Sequence, residues 1–286
     1  MTTLLVATPA LLREQVAFWR ARGDSVGLVP TMGALHAGHA SLIRASKAEN
    51  ARTVVSVFVN PLQFGPGEDF GRYPRTVEKD MALLHELEAD AVYLPSVQTM
   101  YPPGATTRVR VGALSEVLEG AFRPGHFEGV ATVVLKLFEA ARPDRAYFGQ
   151  KDAQQALLVT LMARELDTGV EVRVMPTVRE PDGLALSSRN VYLDPAQRKG
   201  ALCLSRGLQA AEAAWERGVR DPERLKAAMR GLLDAEPLAR TDYAEVVDPA
   251  TFSPPAPGVA PRAVVAVRIG PIRLIDNHQL GTPLGK

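Results

Sequence analysis

The chain has 286 residues, enough for one large domain or two modest ones. With 46% hydrophobic and 23% charged residues it has the make-up of an ordinary globular protein, and a net charge of +1 gives no electrostatic footprint for DNA, RNA or an anionic membrane. A single cysteine, Cys203, excludes an internal disulfide framework and fits a reducing compartment.

In chain order, Thr8-Pro9 reads as an N-cap followed by proline at the first helical position, and it predicts a helix to about residue 20 with an apolar stripe of Leu12, Val16 and Trp19. Residues 26–29 read as a short buried strand, 39–50 as a helix and 53–59 as a near-continuous apolar strand. Residues 77–88 follow as a helix, 91–94 as a strand, 129–141 as an apolar helix, 145–148 as a strand, 153–166 as a helix and 170–175 as a strand. Composition shifts after about residue 178. A long Ala/Leu/Arg-rich helix is expected over 195–216, with Cys203 as a small core residue, and another runs from Asp221-Pro222 to about residue 235. Residues 242–247, 262–269 and 272–275 read as strands, and the proline-rich stretch 253–258 as a loop between them.

Strands alternating with helices predict a Rossmann-like parallel sheet covered on both faces over residues 1–177, and the helices followed by strands predict a smaller α+β C-terminal domain over 178–286. Ligands in such parallel sheets sit at the carboxyl ends of the strands. His36 and His39 follow one strand in this reading, Asn60 and Gln63 the next, and Lys151 a later one. No run of ~18 apolar residues predicts a spanning helix, and the N-terminus lacks the basic-then-apolar pattern of a signal peptide, so a cytoplasmic setting is expected.

The most informative stretch is Pro30-Thr31-Met32-Gly33-Ala34-Leu35-His36-Ala37-Gly38-His39, between a strand-like and a helix-like run. Its glycines let backbone approach a ligand closely, and a helix N-terminus offers unpaired N–H groups suited to phosphate. Two imidazoles there add donors able to follow charge on a leaving phosphate near neutral pH. Two plainer readings stand beside this one. Histidines at i and i+3 could share a metal, although His85, His126 and His278 show no spacing that supplies further ligands, or they could simply cap the helix.

His-Ala-Gly-His is a variant of the HIGH signature of the nucleotidylyltransferase superfamily, and the longer run resembles the pantoate–β-alanine ligase family. Four further segments agree with that family in order: Val59-Asn60-Pro61-Leu62-Gln63-Phe64-Gly65, Phe122-Arg123-Pro124-Gly125-His126-Phe127, Tyr147-Phe148-Gly149-Gln150-Lys151-Asp152-Ala153-Gln154-Gln155, and Arg179-Glu180-Pro181-Asp182-Gly183-Leu184-Ala185-Leu186-Ser187-Ser188-Arg189-Asn190.

The resemblance implies a catalytic set of His36, His39, Lys151, Ser187, Ser188 and Arg189. It implies ATP contacts from Met32, Gly33, His36, His39, Gly149, Gln150, Lys151, Asp152, Val178, Leu186, Ser187, Ser188 and Arg189. It further implies pantoate contacts from Met32, Asn60, Gln63, Phe148 and Gln155, with Met32 and Phe148 as apolar walls. Leu186-Ser187-Ser188-Arg189 resembles the mobile KMSKS-type loop, with leucine where the family commonly has methionine. Where the family often has adjacent aspartates, Lys79 precedes Asp80, which argues against a carboxylate pair for magnesium; Mg²⁺ is expected with ATP through its phosphates, and no protein metal ligand is assigned. The segment around His126 is expected near the site or a subunit contact, without a role for the imidazole.

The expected activity is ATP-dependent condensation of pantoate with β-alanine through a pantoyl adenylate, releasing AMP and pyrophosphate, in a homodimer whose C-terminal domain acts as a lid. The alternative is a nucleotidylyltransferase of the same superfamily that keeps AMP on its product. A regulatory nucleotide-binding module without catalysis is disfavoured by the joint presence of His36, His39, Lys151 and Arg189.

Overall fold

The computed structural model describes residues 3–284, which form two compact units. The first takes the chain up to Gly149 together with Gln154–Met175; the second takes Gln150–Ala153 and the chain from Pro176 onward.

The first unit is a six-stranded, wholly parallel sheet in the order β1-β4-β3-β2-β5-β6. Its strands are β1 (Leu4–Val6), β2 (Val26–Thr31), β3 (Arg52–Val57), β4 (Ala91–Tyr93), β5 (Arg145–Gly149) and β6 (Glu171–Met175). The helices are α1 (Pro9–Arg20), α2 (Ala37–Glu49), α3 (Val77–Glu86), the short α4 (Val97–Met100) and α5 (Glu119–Phe122), α6 (His126–Ala141) and α7 (Ala153–Glu165). Burial on both faces explains the continuous apolar runs: Val54 and Val55 of β3, and Leu28 and Val29 of β2, have no accessible surface. One core cluster packs Val29, Val55 and Val92 against Ile43 of α2 and Leu84 of α3. From β2 the chain winds outward through β3 and β4, whereas β5 and β6 lie on the other side of β2. The order therefore reverses between β2 and β5, and such a switch point opens a crevice at the strands' carboxyl ends.

α1 forms as its sequence predicts, with Thr8 Oγ1 accepting the Leu11 N–H (3.3 Å) and Leu12, Val16 and Trp19 buried. Two of the differences from expectation have a local cause. β1 is not visible in the sequence, because a three-residue strand with Leu4 and Leu5 exposed shows no alternation to detect. α6 starts at His126, three residues early, because Gly125 takes a left-handed φ of 85° and turns the chain directly into the helix.

The second unit has a three-stranded antiparallel sheet of β7 (Ala239–Val247), β8 (Arg262–Ile269) and β9 (Ile272–Gln279). Its helices are α8 (Pro195–Ala201), α9 (Cys203–Glu216) and α10 (Pro222–Leu233), whose Leu204, Leu208, Leu225 and Met229 pack with Val265, Val267 and Leu274 of the sheet. The long helix expected over 195–216 is thus two: Leu202 N–H bonds back to Lys199 O (3.3 Å), a three-residue spacing that tightens the chain between α8 and α9. Cys203 is buried, and burial first of all pushes its thiol up to about 12, which fits an inert core residue. Among the described residues no helix is long and apolar enough to cross a membrane.

Candidate active site

The loop after β2 is set by a buried carboxylate. Gly33 and Ala34 both take positive φ (80° and 49°), and the turn they make presents consecutive N–H groups to Asp80 of α3. Asp80, 3% exposed, accepts from Ala34 N–H (3.0 Å), Leu35 N–H (2.8 Å) and Thr76 Oγ1–H (3.1 Å). A Cβ at Gly33 would stand 3.0 Å from Asp80 Oδ2, so space as well as φ favours glycine. Asp80 therefore works as the anchor of the loop.

That loop delivers the two histidines to the start of α2. His36 is the N-cap, and its Nδ1 accepts the Gly38 N–H (3.1 Å); His39 Nδ1 accepts the His36 N–H (3.3 Å). The two rings make a capping box in which imidazole nitrogens replace the usual hydroxyl and carboxylate, with centroids 4.1 Å apart. An Nδ1 that accepts a backbone N–H carries no proton, so each neutral ring carries its proton on Nε2. Capping and ligand chemistry are therefore compatible: one nitrogen of each ring holds the helix, and the other is a donor.

At the carboxyl end of β3, Asn60 is 1% exposed and uses its whole amide. Its Oδ1 accepts from Leu62 N–H (3.2 Å) and Tyr101 O–H (2.8 Å), and its Nδ2 donates to Gly129 O (3.0 Å) and Gln63 Oε1 (3.1 Å). Two backbone partners fix which end of the Asn60 amide is which. Gln63 must then accept from Asn60 through Oε1, leaving Nε2 on the other side, where it approaches Met32 Sδ (3.0 Å). Gln63 and Met32, both expected at the substrate, are brought together, and Gln63 offers a donor there.

The segment around His126 supports Gln63 from behind. Arg123 donates to Glu68 through Nε and Nη2 (2.7 Å each), and its Nη2 also reaches Gln63 O (3.2 Å). Arg123 Nη1 lies 3.1 Å from His126 Nε2, and His126 Nδ1 lies 2.8 Å from Gln63 O. Guanidinium has only donors, so His126 Nε2 accepts and Nδ1–H donates to the carbonyl. Burial first, and then the Arg123 charge, lower the His126 pKa to about 4, which keeps the ring neutral. α6 approaches so closely that a Cβ at Gly129 would overlap the Leu62 carbonyl and stand 2.6 Å from Gln63 N. Sequence reasoning placed this segment near the site or a subunit contact but gave Arg123 and His126 no role, because their common partner is a backbone carbonyl about sixty residues away, which leaves no local spacing signal.

Of the paired glutamines on α7, Gln154 is structural: it accepts from Glu119 N–H (3.1 Å) and donates to Leu114 O and Val117 O (2.8 Å each). Gln155 beside it is half-buried. Phe148 is buried in β5, and a Cβ at Gly149 would meet nothing within 4 Å.

In the second unit, Gln150, Lys151 and Asp152 form a single 3₁₀ turn. Lys151 Nζ lies 3.8 Å from Asp152 Oδ2, a loose pairing. Val178 and Leu186 close a tight hairpin through Leu186 N–H to Val178 O (3.0 Å), reinforced by Glu180 N–H to Leu184 O (2.8 Å). Arg198 clamps it with bonds to both oxygens of Glu180 (2.7 Å each) and to Asp182 Oδ2 (2.7 Å), and these bonds hold Glu180 below the usual carboxylate range. The hairpin leads directly into Ser187, which caps a 3₁₀ turn of Ser188–Tyr192 by accepting the Arg189 N–H (3.3 Å). Beneath it, Arg179 and Asp276 form a bidentate ion pair (2.6 and 3.0 Å), 4% and 2% exposed.

A model of the pantoate–β-alanine ligase family matches residues 4–279. The chain belongs to the pantoate–β-alanine ligase family. Within the family, a pantothenate synthetase of Acidobacterium capsulatum is 57% identical over 258 residues, 90% of this chain and 86% of that protein. One of Rubrobacter xylanophilus is 53% identical over 285 residues, 96% and 98% of the two chains. The crystal structure of pantothenate synthetase from Thermus thermophilus has the same fold, with a TM-score of 0.92 at 49% identity over 97% of this chain and 99% of that one. The family member from Francisella tularensis, solved in complex with βγ-ATP and β-alanine, gives a TM-score of 0.81 at 31% identity over 99% and 100%.

Proposed function

We propose that this chain is an AMP-forming ligase that condenses pantoate with β-alanine, driven by ATP. The observation that carries the reading is the histidine capping box at the carboxyl end of β2, in which both imidazoles carry Nε2–H donors at a helix N-terminus, in a chain that matches its family from residue 4 to 279.

In the first step the pantoate carboxylate oxygen attacks the α-phosphorus of ATP, and the bond to the bridging oxygen breaks with its electron pair leaving on pyrophosphate. Gln63 Nε2 and the half-buried Gln155 hold the hydroxy acid by its oxygens, with Met32 and Phe148 against its methyl groups. Asn60, whose amide is fully engaged, acts one step back by orienting Gln63. The Nε2–H donors of His36 and His39 meet charge growing on the phosphates. Gly149, whose missing Cβ leaves open space, lets the nucleotide pass close to backbone at Gln150. Lys151 neutralises the α-phosphoryl oxygens in the transition state, and Ser187, Ser188 and Arg189 bind the β- and γ-phosphates, with Val178, Leu186 and Asp152 framing them. In the second step the neutral amine of β-alanine attacks the acyl carbon, AMP leaves, and the amine proton is lost as pantothenate forms.

Magnesium belongs to the triphosphate in this scheme. Among the described residues no three His, Cys, Asp or Glu side chains are grouped to hold a metal, and Asp80 is taken up by the loop before α2. ATP as substrate and a single buried cysteine support a cytoplasmic setting, and the family resemblance supports a homodimer, which light scattering in solution tests.

The deciding experiment is exchange of labelled pyrophosphate into ATP. Exchange is expected with pantoate alone, and full turnover should release free AMP. Exchange that requires β-alanine would rule out a separate adenylate step, and AMP retained on the product would point to a nucleotidyl transfer.

A further inference from the structure

Lysine has a long flexible stem, so where its ammonium points depends on how the turn that carries it is held. The turn Gln150–Asp152 is short, and its carbonyls are bound by one side chain from β9. Asn277 Nδ2 donates to Gln150 O (2.8 Å) and to Lys151 O (3.0 Å). The amide cannot be read the other way round. Asn277 Oδ1 accepts from Arg262 Nη1 (2.6 Å), and a flipped amide would set two donors against each other on that side and an oxygen against two carbonyls on the other. Asn277 is 5% exposed, and its own N–H bonds Asp276 Oδ1 (2.8 Å).

We infer that Asn277 is a positioning residue for Lys151, gripping the two carbonyls of its turn and so setting the direction in which the ammonium leaves it. The inference rests on the reading above, in which Lys151 acts on the α-phosphate. The neighbouring residue extends the argument. Asp276 holds Arg179, which bridges Ala185 across the hairpin that leads into Ser187, Ser188 and Arg189. Two consecutive residues of β9 therefore tie the Lys151 turn and the Ser187–Ser188–Arg189 loop to one strand. This agrees with Gln150–Ala153 grouping with the second unit, although they lie in sequence between β5 and α7 of the first.

The test is a double-mutant cycle on single-turnover formation of pantoyl adenylate. Asn277→Asp keeps the size of the side chain and gives Arg262 an anionic partner, but it turns a carboxylate oxygen toward the two carbonyls and removes both bonds. The adenylation rate should fall about 10–100-fold, the loss typical of misplacing a reacting group, while KM for pantoate stays within about twofold. In a Lys151→Ala background the same change should have almost no further effect, because the group it positions is gone. A folded Asn277→Asp enzyme with near-normal adenylation overturns the inference, as does a drop of equal size in the Lys151→Ala background. Asn277→Ala, which removes the bonds without adding charge, runs through the same cycle if the aspartate variant fails to fold. Failure of the functional reading shows separately, as wild-type protein without pantoate-dependent pyrophosphate exchange.

Discussion

Asn60 Nδ2 stands 3.1 Å from Gln63 Oε1, and that bond decides which end of the Gln63 amide is left for a ligand. Because Asn60 is itself fixed by Leu62 N–H and Gly129 O, the choice passes from backbone through Asn60 to the Gln63 amide. Gln63 presents a donor, which suits the carboxylate or hydroxyl oxygen of a hydroxy acid.

Gln63→Ala should weaken pantoate use and leave ATP use nearly unchanged. Losing a hydrogen bond to a charged group costs about 1.5–3 kcal/mol, so KM for pantoate should rise roughly 10- to 150-fold. Asn60→Asp retains the acceptor for Leu62 and Tyr101 but loses the donor to Gln63, and it should reproduce part of the same defect. Initial rates with each substrate varied in turn check this; equal rises in both KM values would remove Gln63 from the pantoate pocket.

Acid should loosen the support behind Gln63. His126 is held neutral, with a folded pKa of about 4 against an ordinary 6.5. Well above pH 6.5 both folded and unfolded rings are uncharged and the group adds no pH dependence. As pH falls below 6.5 the unfolded chain takes up the proton first, so stability drops progressively down to about pH 4, by on the order of 3 kcal/mol in all. His126→Gln should remove this component. The comparison is denaturant unfolding of both proteins between pH 7 and pH 4; parallel curves would mean that the imidazole is not buried and neutral.

Much of the frame is legible in the sequence, for physical reasons that differ from element to element. α1 announces itself through Thr8-Pro9 and a 3.6-residue stripe, and β3 through an apolar run long enough for a strand buried on both faces. The histidine loop is legible because its chemistry is local: cap, glycine and imidazoles lie within ten residues. Asn277, Arg123 and Asp80 are not legible as supports, since each acts on backbone groups far along the chain, and no spacing in sequence encodes that. The same holds for the split between α8 and α9, where a single tightened turn at Leu202 interrupts an unbroken helical pattern. The position of Lys151 just after β5 follows from the sequence, but sequence order does not show that its turn belongs with the second unit.

Removing Asp276 should be severe. Arg179 is 4% exposed and bonded to both carboxylate oxygens, so Asp276→Ala leaves a buried guanidinium without its anion and the Asn277 N–H without its acceptor. Breaking a buried pair from one side costs about 3–5 kcal/mol. Replacing both partners, as Arg179→Met with Asp276→Leu, should cost less than the single change, because no charge is stranded. Circular dichroism melts of the three proteins decide the point; a single mutant as stable as wild type would show that the pair is solvated.

Lys151→Ala separates catalysis from folding. The side chain is one-fifth exposed and its anionic neighbour, Asp152 Oδ2, is 3.8 Å away, so the ion pair it loses is worth no more than about 1 kcal/mol. The melting temperature should therefore hardly move. In the proposed first step, however, the ammonium faces charge that builds on the α-phosphoryl oxygens only as the carboxylate attacks, so its loss falls on kcat more than on KM. By analogy with removing one oxyanion donor, adenylation should slow on the order of 10²–10³-fold. Rapid-quench measurement of pantoyl adenylate in a single turnover, alongside a thermal melt, tests both halves. A variant that forms the adenylate at a near-normal rate would take Lys151 out of the chemistry, and with it the reason for Asn277 to hold the turn.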